Sequence, residues 1–257
     1  MTAGAAKIKR RIERLFHDWL ARAQHGLRRF EKDELADAER ARRILSEILA
    51  AIQAGNAAAL VGDMTGLLST VTQDGGAAAL AQVGIVEDRS ILAVVNQRAV
   101  NYARDRSAEM VGMKWVDGEL VENPSAQWRI DDSTRELLRG DVTAALKDGL
   151  SNDALAERIA GSYAFSDDRA LMIARTETAF ADVAGNMIAY RESGEVEQKQ
   201  WITGEGCCDD CLALDKIIVD IDEDFPDDGG DGPPLHPNCR CDVVPLLREP
   251  KDPFTEE

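Results

Sequence analysis

From Ile8 the apolar residues Ile12, Leu15, Phe16, Trp19, Leu20, Ala23, Leu27 and Phe30 recur at steps of three and four, which gathers them into one stripe on an α-helix. A second series, Leu35, Ala38, Ala41, Leu45, Ile48, Leu49 and Ile52, comes after the charged run Glu31-Lys32-Asp33-Glu34. Two helices and one long bent helix both satisfy this pattern, and either way the apolar face needs a partner surface. Residues 53 to 85 are rich in Ala and Gly, with Gly75-Gly76 as the clearest breaker; such a composition suits close helix packing or a mobile segment.

A further helix is expected over Glu87 to Met113. Lys114-Trp-Val-Asp117-Gly118-Glu-Leu-Val121 then sets an Asp-Gly pair between alternating residues, the signature of a two-residue hairpin. Ser133 and Glu136 have the spacing of a capping box, opening a helix through Leu137, Val142 and Leu146 toward Gly149. Ser151 starts the next one through Ile159, and Ser166 caps a longer helix through Ala170, Ile173, Ala174, Ala181, Ala184 and Ile188 that ends near Gly194. From Glu195 the character changes to two β-like runs, Gln198 to Thr203 and Ile217 to Ile221, followed by a Gly, Pro and Asp loop from Phe225 to Pro234. The expected fold class is mainly α: a helical body with a small C-terminal α+β unit that stands apart from it.

Composition narrows the picture. With 257 residues, 44% of them hydrophobic, the chain has enough apolar material for one sizeable core. No apolar run is long enough for a membrane span, and the basic N-terminal residues lead into an amphipathic pattern rather than a secretion signal. The net charge of -17 argues against a surface devoted to nucleic acid. The charge is also lopsided: residues 1 to 50 carry twelve Lys and Arg against eight Asp and Glu, whereas residues 201 to 257 carry four against sixteen. Lys7, Lys9, Arg10 and Arg11 leave room for DNA contact by the first helix, although a solvated helix face explains them as well.

All five cysteines fall between positions 207 and 241, together with one of the three histidines. Cys208 and Cys211 have the two-residue gap that lets two thiolates on a tight turn face one metal ion, and His236 and Cys239 repeat it. These four are the expected ligands of a structural zinc, with no open coordination position for catalysis. Cys241 competes with Cys239: if residues 239 to 243 are extended, the two point to opposite faces and only one binds. Cys207 reads as a bystander, and a disulfide pair or buried thiols remain the alternative to metal.

Other candidate chemistry is weaker. Arg175 and Glu177 fall in the helix after Ser166, where an Arg and a Glu invite thoughts of a transferase, but a two-residue step sends them to different sides. The acidic residues Asp220, Asp222, Glu223, Asp224, Asp227, Asp228 and Asp231 lack the order of a calcium-binding EF-hand and read as solvated loop charge. His17 and His25 have no neighbouring cysteine and read as surface or interface residues. Without a Gly-rich phosphate loop, a His-Glu-x-x-His helix or a Gly-x-Ser-x-Gly elbow, no catalytic residue is expected.

Taken in order, Ile173-Ala-Arg175-Thr-Glu177-Thr, Trp201-Ile-Thr, Cys208-x-x-Cys211-x-Ala-Leu-Asp, Pro233-Pro-Leu-His236-Pro-Asn-Cys239-Arg-Cys241 and Val-Pro245 resemble the phage head morphogenesis family, the Mu F-like minor capsid proteins. The resemblance runs from about Ala99 to Leu247. It implies a virion protein made in the host cytoplasm, acting near the portal vertex of the head, with portal or major capsid protein as partner and ejection with the genome as an option. It divides the chain into an N-terminal helical docking region (1–98), a helical part of the family domain (99–194), its zinc knuckle (195–247) and an acidic tail (248–257). One departure is Lys216, which follows Asp215 where a glycine is expected. A transferase or toxin-like effector using Arg175 and Glu177, and a DNA-binding zinc protein, are the alternatives.

Overall fold

The computed structural model describes residues 2–27, 46, 57–86, 88–127, 129–148 and 152–248. The second apolar series from Leu35 to Ile52, and most of the acidic tail, lie outside the described residues, as do Phe30, Glu87, Gly149 and Ser151. The chain is mainly helical: α1 (Ala3–Leu27), α2 (Ala57–Gln82), α3 (Arg89–Glu109), the hairpin β1 (Met113–Val116) and β2 (Glu119–Glu122), α4 (Ile130–Lys147), α5 (Asn152–Ala160) and α6 (Asp167–Ser193). Beyond these come β3 (Val196–Ile202), the short α7 (Asp209–Ala213), β4 (Ile218–Asp220) and β5 (Asp242–Leu247). The residues group into two compact units, Met1–Leu67 with Arg104–Ala174, and Leu68–Ala103 with Arg175–Glu257. None of the helices described is long and apolar enough to cross a membrane.

In the first unit the α1 stripe forms as the periodicity predicts. Ile8, Ile12, Leu15, Phe16, Trp19 and Ala23 are all buried, packed toward α5 and a 3-10 turn at Tyr163–Phe165. The partner surface this stripe needs is therefore supplied by the chain itself. Phe16 meets Phe165 edge to face at 6.1 Å, and the Arg169 guanidinium lies 4.8 Å from the Phe16 ring centre. Arg169 is 1% exposed and donates to the carbonyls of Ala164 (2.5 Å) and Ile130 (3.1 Å) and to Ser133 Oγ (2.8 Å). Burial pushes its pKa down to about 10, yet it stays a cation near neutral pH.

That arginine accounts for one correction. Helix α4 begins at Ile130, three residues before Ser133, so no capping box joins Ser133 to Glu136. The Ser133 hydroxyl instead donates to the Arg129 carbonyl and accepts from Arg169, while Glu136 pairs with Arg139. Ser166 does cap α6, its Oγ accepting the Arg169 N–H at 3.1 Å. The hairpin also forms in the predicted register, with Trp115 opposite Leu120. Its turn residues Asp117 and Gly118 have φ of 49° and 85°, the left-handed pair that a two-residue turn requires.

In the second unit the expected breaker Gly75-Gly76 lies inside α2, because the two glycines serve helix contact rather than chain reversal. A Cβ on Gly75 would stand 2.8 Å from Asp182 Oδ1, and one on Gly76 2.6 Å from Val95 Cγ1. On the facing helix α6, a Cβ on Gly185 would stand 2.2 Å from the Thr72 carbonyl oxygen and 2.8 Å from Gly76 N. Backbone thus meets backbone where α2 and α6 cross.

The C-terminal strands form an antiparallel sheet in the order β4-β3-β5. They do not stand apart as expected. Trp201, Leu214, Phe225 and Val243 share one core with Leu80 and Val83 of the α2 end, Val95 of α3 and Val183, Met187 and Tyr190 of α6. Packing against a helix is one way a small sheet gains stability, and here the helices supply the other side of its core.

Gly185→Ala should destabilise the protein by about 1–3 kcal/mol, because the new methyl meets main chain that can yield only by moving a helix. Gly62→Ala on α2, where nothing lies within 4 Å, should instead stabilise by roughly 0.5–1 kcal/mol through helix propensity. Urea unfolding of both variants measures the contrast, and equal effects would refute the packing argument.

Candidate metal centre

The first half of the site is built by α7. Cys208 is its N-cap, with its Sγ accepting the Cys211 N–H at 3.4 Å, and the next turn of backbone brings Cys211 beside it. After α7 the chain must reverse into β4, and Lys216 takes φ of 64° to do so. The expected glycine is absent, but the left-handed conformation it would have provided is kept. Asp215 stabilises the reversal by accepting from Thr203 N (3.2 Å) and Thr203 Oγ1 (2.8 Å), which holds its carboxyl below the usual range. Trp201, singled out by its motif, is wholly buried and stacks edge-on against Phe225 at 5.2 Å; it is a core residue.

The second half returns through the Phe225–Pro234 loop to His236 and Cys239. His236 Nε2 lies 3.2 Å from Cys208 Sγ and 3.3 Å from Cys211 Sγ, and Cys211 Sγ lies 3.7 Å from Cys239 Sγ. Zinc–sulfur bonds of roughly 2.3 Å place neighbouring tetrahedral sulfurs about 3.8 Å apart. The Cys211–Cys239 sulfur separation of 3.7 Å is of that size. The donors form two overlapping triads, Cys208, Cys211 and His236, and Cys211, Cys239 and Cys241, each with its atoms within 4.8 Å of one another. Cys211 belongs to both.

Cys239 and Cys241 do not divide between opposite faces. Strand β5 starts only at Asp242, so the alternation of a strand does not govern them, and both are buried at 5% and 6% exposure. A close backbone approach explains Cys241: a Cβ on Gly204 would lie 2.3 Å from the Arg240 carbonyl oxygen, and the Gly204 backbone N–H favours the Cys241 thiolate. Cys207 is half-buried against the same core, outside both triads.

All five cysteines are free thiols, and their surroundings differ. The Cys211 N–H and the neighbouring His236 favour the Cys208 thiolate, lowering its pKa. Burial pushes the pKa of Cys211 and, despite Gly204, of Cys241 upward. Nitrogen and sulfur donors of this kind suit zinc rather than calcium or magnesium. A dication would also supply the charge that lets buried thiols ionise.

The loop that delivers His236 is anchored by a cation pair that the sequence pattern conceals. Lys199, on the core face of central strand β3, has a fully buried side chain and donates to Asp231 Oδ1 (2.5 Å) and the Asp231 carbonyl (3.0 Å). Arg191 of α6 donates to both Asp231 carboxylate oxygens (2.8 and 2.5 Å) and to Asp222. Asp231 and Asp222 are thus structural anchors, not merely solvated loop charge. Phe225 plugs the same loop into the core, 5.3 Å from the Lys199 ammonium.

Arg175 is exposed, whereas Glu177 is buried, and the pair does not converge on one point. Between them, Thr176 is 4% exposed and its Oγ1 accepts the Asn238 N–H at 2.8 Å. No spacing rule points to this residue: it is remote in the chain from every donor, and only tertiary packing makes the bond. His17 lies exposed on α1, and the side chain of His25 is outside the described set.

Burial alone would raise the Asp231 pKa, but the bonds from Arg191 and Lys199 hold it below the ordinary carboxylate value. The stabilisation is therefore present above the unfolded pKa of about 3.9 and lost as pH falls through the folded one. Asp231→Asn should cost about 1–2 kcal/mol at neutral pH, discounted because the carboxylate is half exposed. Urea unfolding at stepped pH should show the gap between wild type and variant closing below roughly pH 4; a constant gap would contradict the ion-pair account.

The model of the family described as Phage Mu protein F like protein matches residues 136–244. No curated protein and no solved structure matches the chain. The match is narrower than the Ala99–Leu247 span read from the motifs, but it contains α6, strands β3 and β4, and every donor of both triads. Over residues 136–244, somewhat less than half of its length, the chain is similar to the Phage Mu protein F like family.

Proposed function

We propose that this chain is a minor head protein of a phage, working in head morphogenesis near the portal vertex by binding rather than by catalysis, with one structural zinc in its C-terminal knuckle. The observation that carries the reading is the coincidence of the family match with the N/S donor cluster: residues 136–244 hold Cys208, Cys211, His236, Cys239 and Cys241. Zinc here would tie α7 to the chain that enters β5. A closed four-ligand site adds folding free energy and offers no position for a reacting water. Portal or major capsid protein is the partner, and the virion is where the protein ends, made first in the host cytoplasm; ejection with the genome is part of the proposal.

The non-catalytic part of the reading is supported by Arg175 and Glu177, which differ in burial and leave α6 on different sides. DNA binding through the first helix is a weaker reading. Lys9 bonds Glu13, Arg11 bonds Asp63 and Arg22 bonds Asp18, so part of the N-terminal positive charge is already matched. Docking also has to use surfaces other than the covered α1 stripe, among which Val94 and Val100 leave apolar side chains exposed on α3.

Two measurements test the proposal. Purified reduced protein should contain one zinc per chain by mass spectrometry, and Cys208→Ser, Cys211→Ser and His236→Ala should each lose it; Cys239→Ser and Cys241→Ser decide the fourth ligand. A metal-free wild type whose thiols pair in air would overturn the zinc assignment. Proteomics of purified virions should find the chain in a few copies, and phage carrying an early stop codon in its gene should make no infectious DNA-filled heads. Normal heads without it would overturn the assembly role.

A further inference from the structure

The motif Arg175-Thr176-Glu177-Thr178 has no chemistry assigned to it, yet one of its side chains reaches the metal centre. We propose that Thr176 is a positioning residue for that centre, its hydroxyl holding the His236–Cys239 turn against α6 so that the second pair of donors is set before metal arrives. The inference rests on the zinc reading and deepens it.

Three observations combine. First, the turn contains a residue in an unfavourable conformation: Asn238 has φ of 62°, which side chains other than glycine adopt at a cost and asparagine tolerates best. Such a backbone persists where its surroundings determine it. Second, two hydrogen bonds hold it. The Cys239 N–H donates to the His236 carbonyl at 3.1 Å within the turn, and the Asn238 N–H donates to Thr176 Oγ1 at 2.8 Å across to α6. The bond to Thr176 is the longer-range of the two, joining residues 62 apart in sequence, and its acceptor is buried at 4% exposure, where water competes poorly.

Third, the same turn orients the imidazole. His236 Nδ1 lies 2.9 Å from the Pro237 carbonyl oxygen, which can only accept, so Nδ1–H donates there and Nε2 is turned toward Cys208 and Cys211. A ligating histidine is ordinarily held by a bond from its other nitrogen. Here the carbonyl that does so belongs to the residue beside Asn238, and Thr176 anchors that peptide to a rigid helix. Loss of the hydroxyl frees both the backbone N–H and the orientation of the ring, while every ligand atom remains.

The test compares Thr176→Val, which keeps the shape and removes the hydroxyl, with Thr176→Ser, which restores it; Thr176→Ala is run beside them in case the valine disturbs packing. Zinc affinity is read by competition with a chromophoric chelator, and the ligand set by the thiolate-to-metal band of the cobalt(II)-substituted protein. Thr176→Val and Thr176→Ala should bind zinc about ten- to a hundredfold more weakly with the cobalt band unchanged, and Thr176→Ser should recover to within about threefold of wild type. Wild-type affinity in both hydroxyl-free variants would overturn the inference, as would a serine variant as weak as the valine one, since loss of packing would then explain the result. If the wild type takes up neither zinc nor cobalt, the zinc reading itself falls and this inference with it; zinc binding that is indifferent to Thr176 removes the positioning role alone.

Discussion

The second unit depends on how closely α2 and α6 approach one another. Gly185 leaves no room for a side chain against the Thr72 carbonyl, so at that crossing the two helices are in main-chain contact. Helix α6 is thereby fixed, and the segments C-terminal to it take their positions from it. In its N-terminal half Thr176 bonds the knuckle turn, and near its end Arg191 bonds the acidic loop. The sheet packs on the same helices through Trp201 and Val243. A close-packed interior transmits the placement of one helix to each of these contacts.

The donor cluster illustrates the consequence. Cys211 and His236 are 25 residues apart, and a chain of that length closes into a loop only at an entropic cost. The Phe225 plug, the Lys199–Asp231 bond and the Arg191–Asp231 bond fix the loop at points between. A metal ion that meets such a loop spends little of its binding free energy on ordering the chain. The buried thiols oppose this in the metal-free protein, since burial favours their protonated form. Proton release and metal uptake are then linked.

Buried polar groups mark where the linear reading missed most. Arg169 and Lys199 are among the largest wholly buried side chains, and both are of charged types that residue identity alone would assign to solvent. Both are satisfied by oxygen atoms that come from distant segments: Ile130 and Ser133 for Arg169, Asp231 for Lys199. A buried cation without such oxygens would be strongly unfavourable, so their placement cannot be judged from neighbours in the chain. The capping box failed for the same reason. Ser133 and Glu136 have the right spacing, but the helix had already begun at Ile130, and Arg169 claimed the serine.

Local and compositional features were legible in the linear order of residues: the α1 stripe, the Asp117-Gly118 hairpin, the Ser166 cap, the strand runs after Glu195 and the clustering of Cys208, Cys211, His236 and Cys239. In each of these the physical cause acts within a few residues, through the pitch of a helix, the φ a turn demands, or the two-residue gap within each Cys or His–Cys pair. Packing alone settled that Gly75-Gly76 is a helix contact, that the α1 stripe is covered from within, that Cys241 joins Cys239 beside Cys211, and that Thr176 reaches Asn238. Those outcomes depend on which distant backbone atoms arrive at the same point, and that is set by the packing of a whole unit rather than by any stretch of its chain.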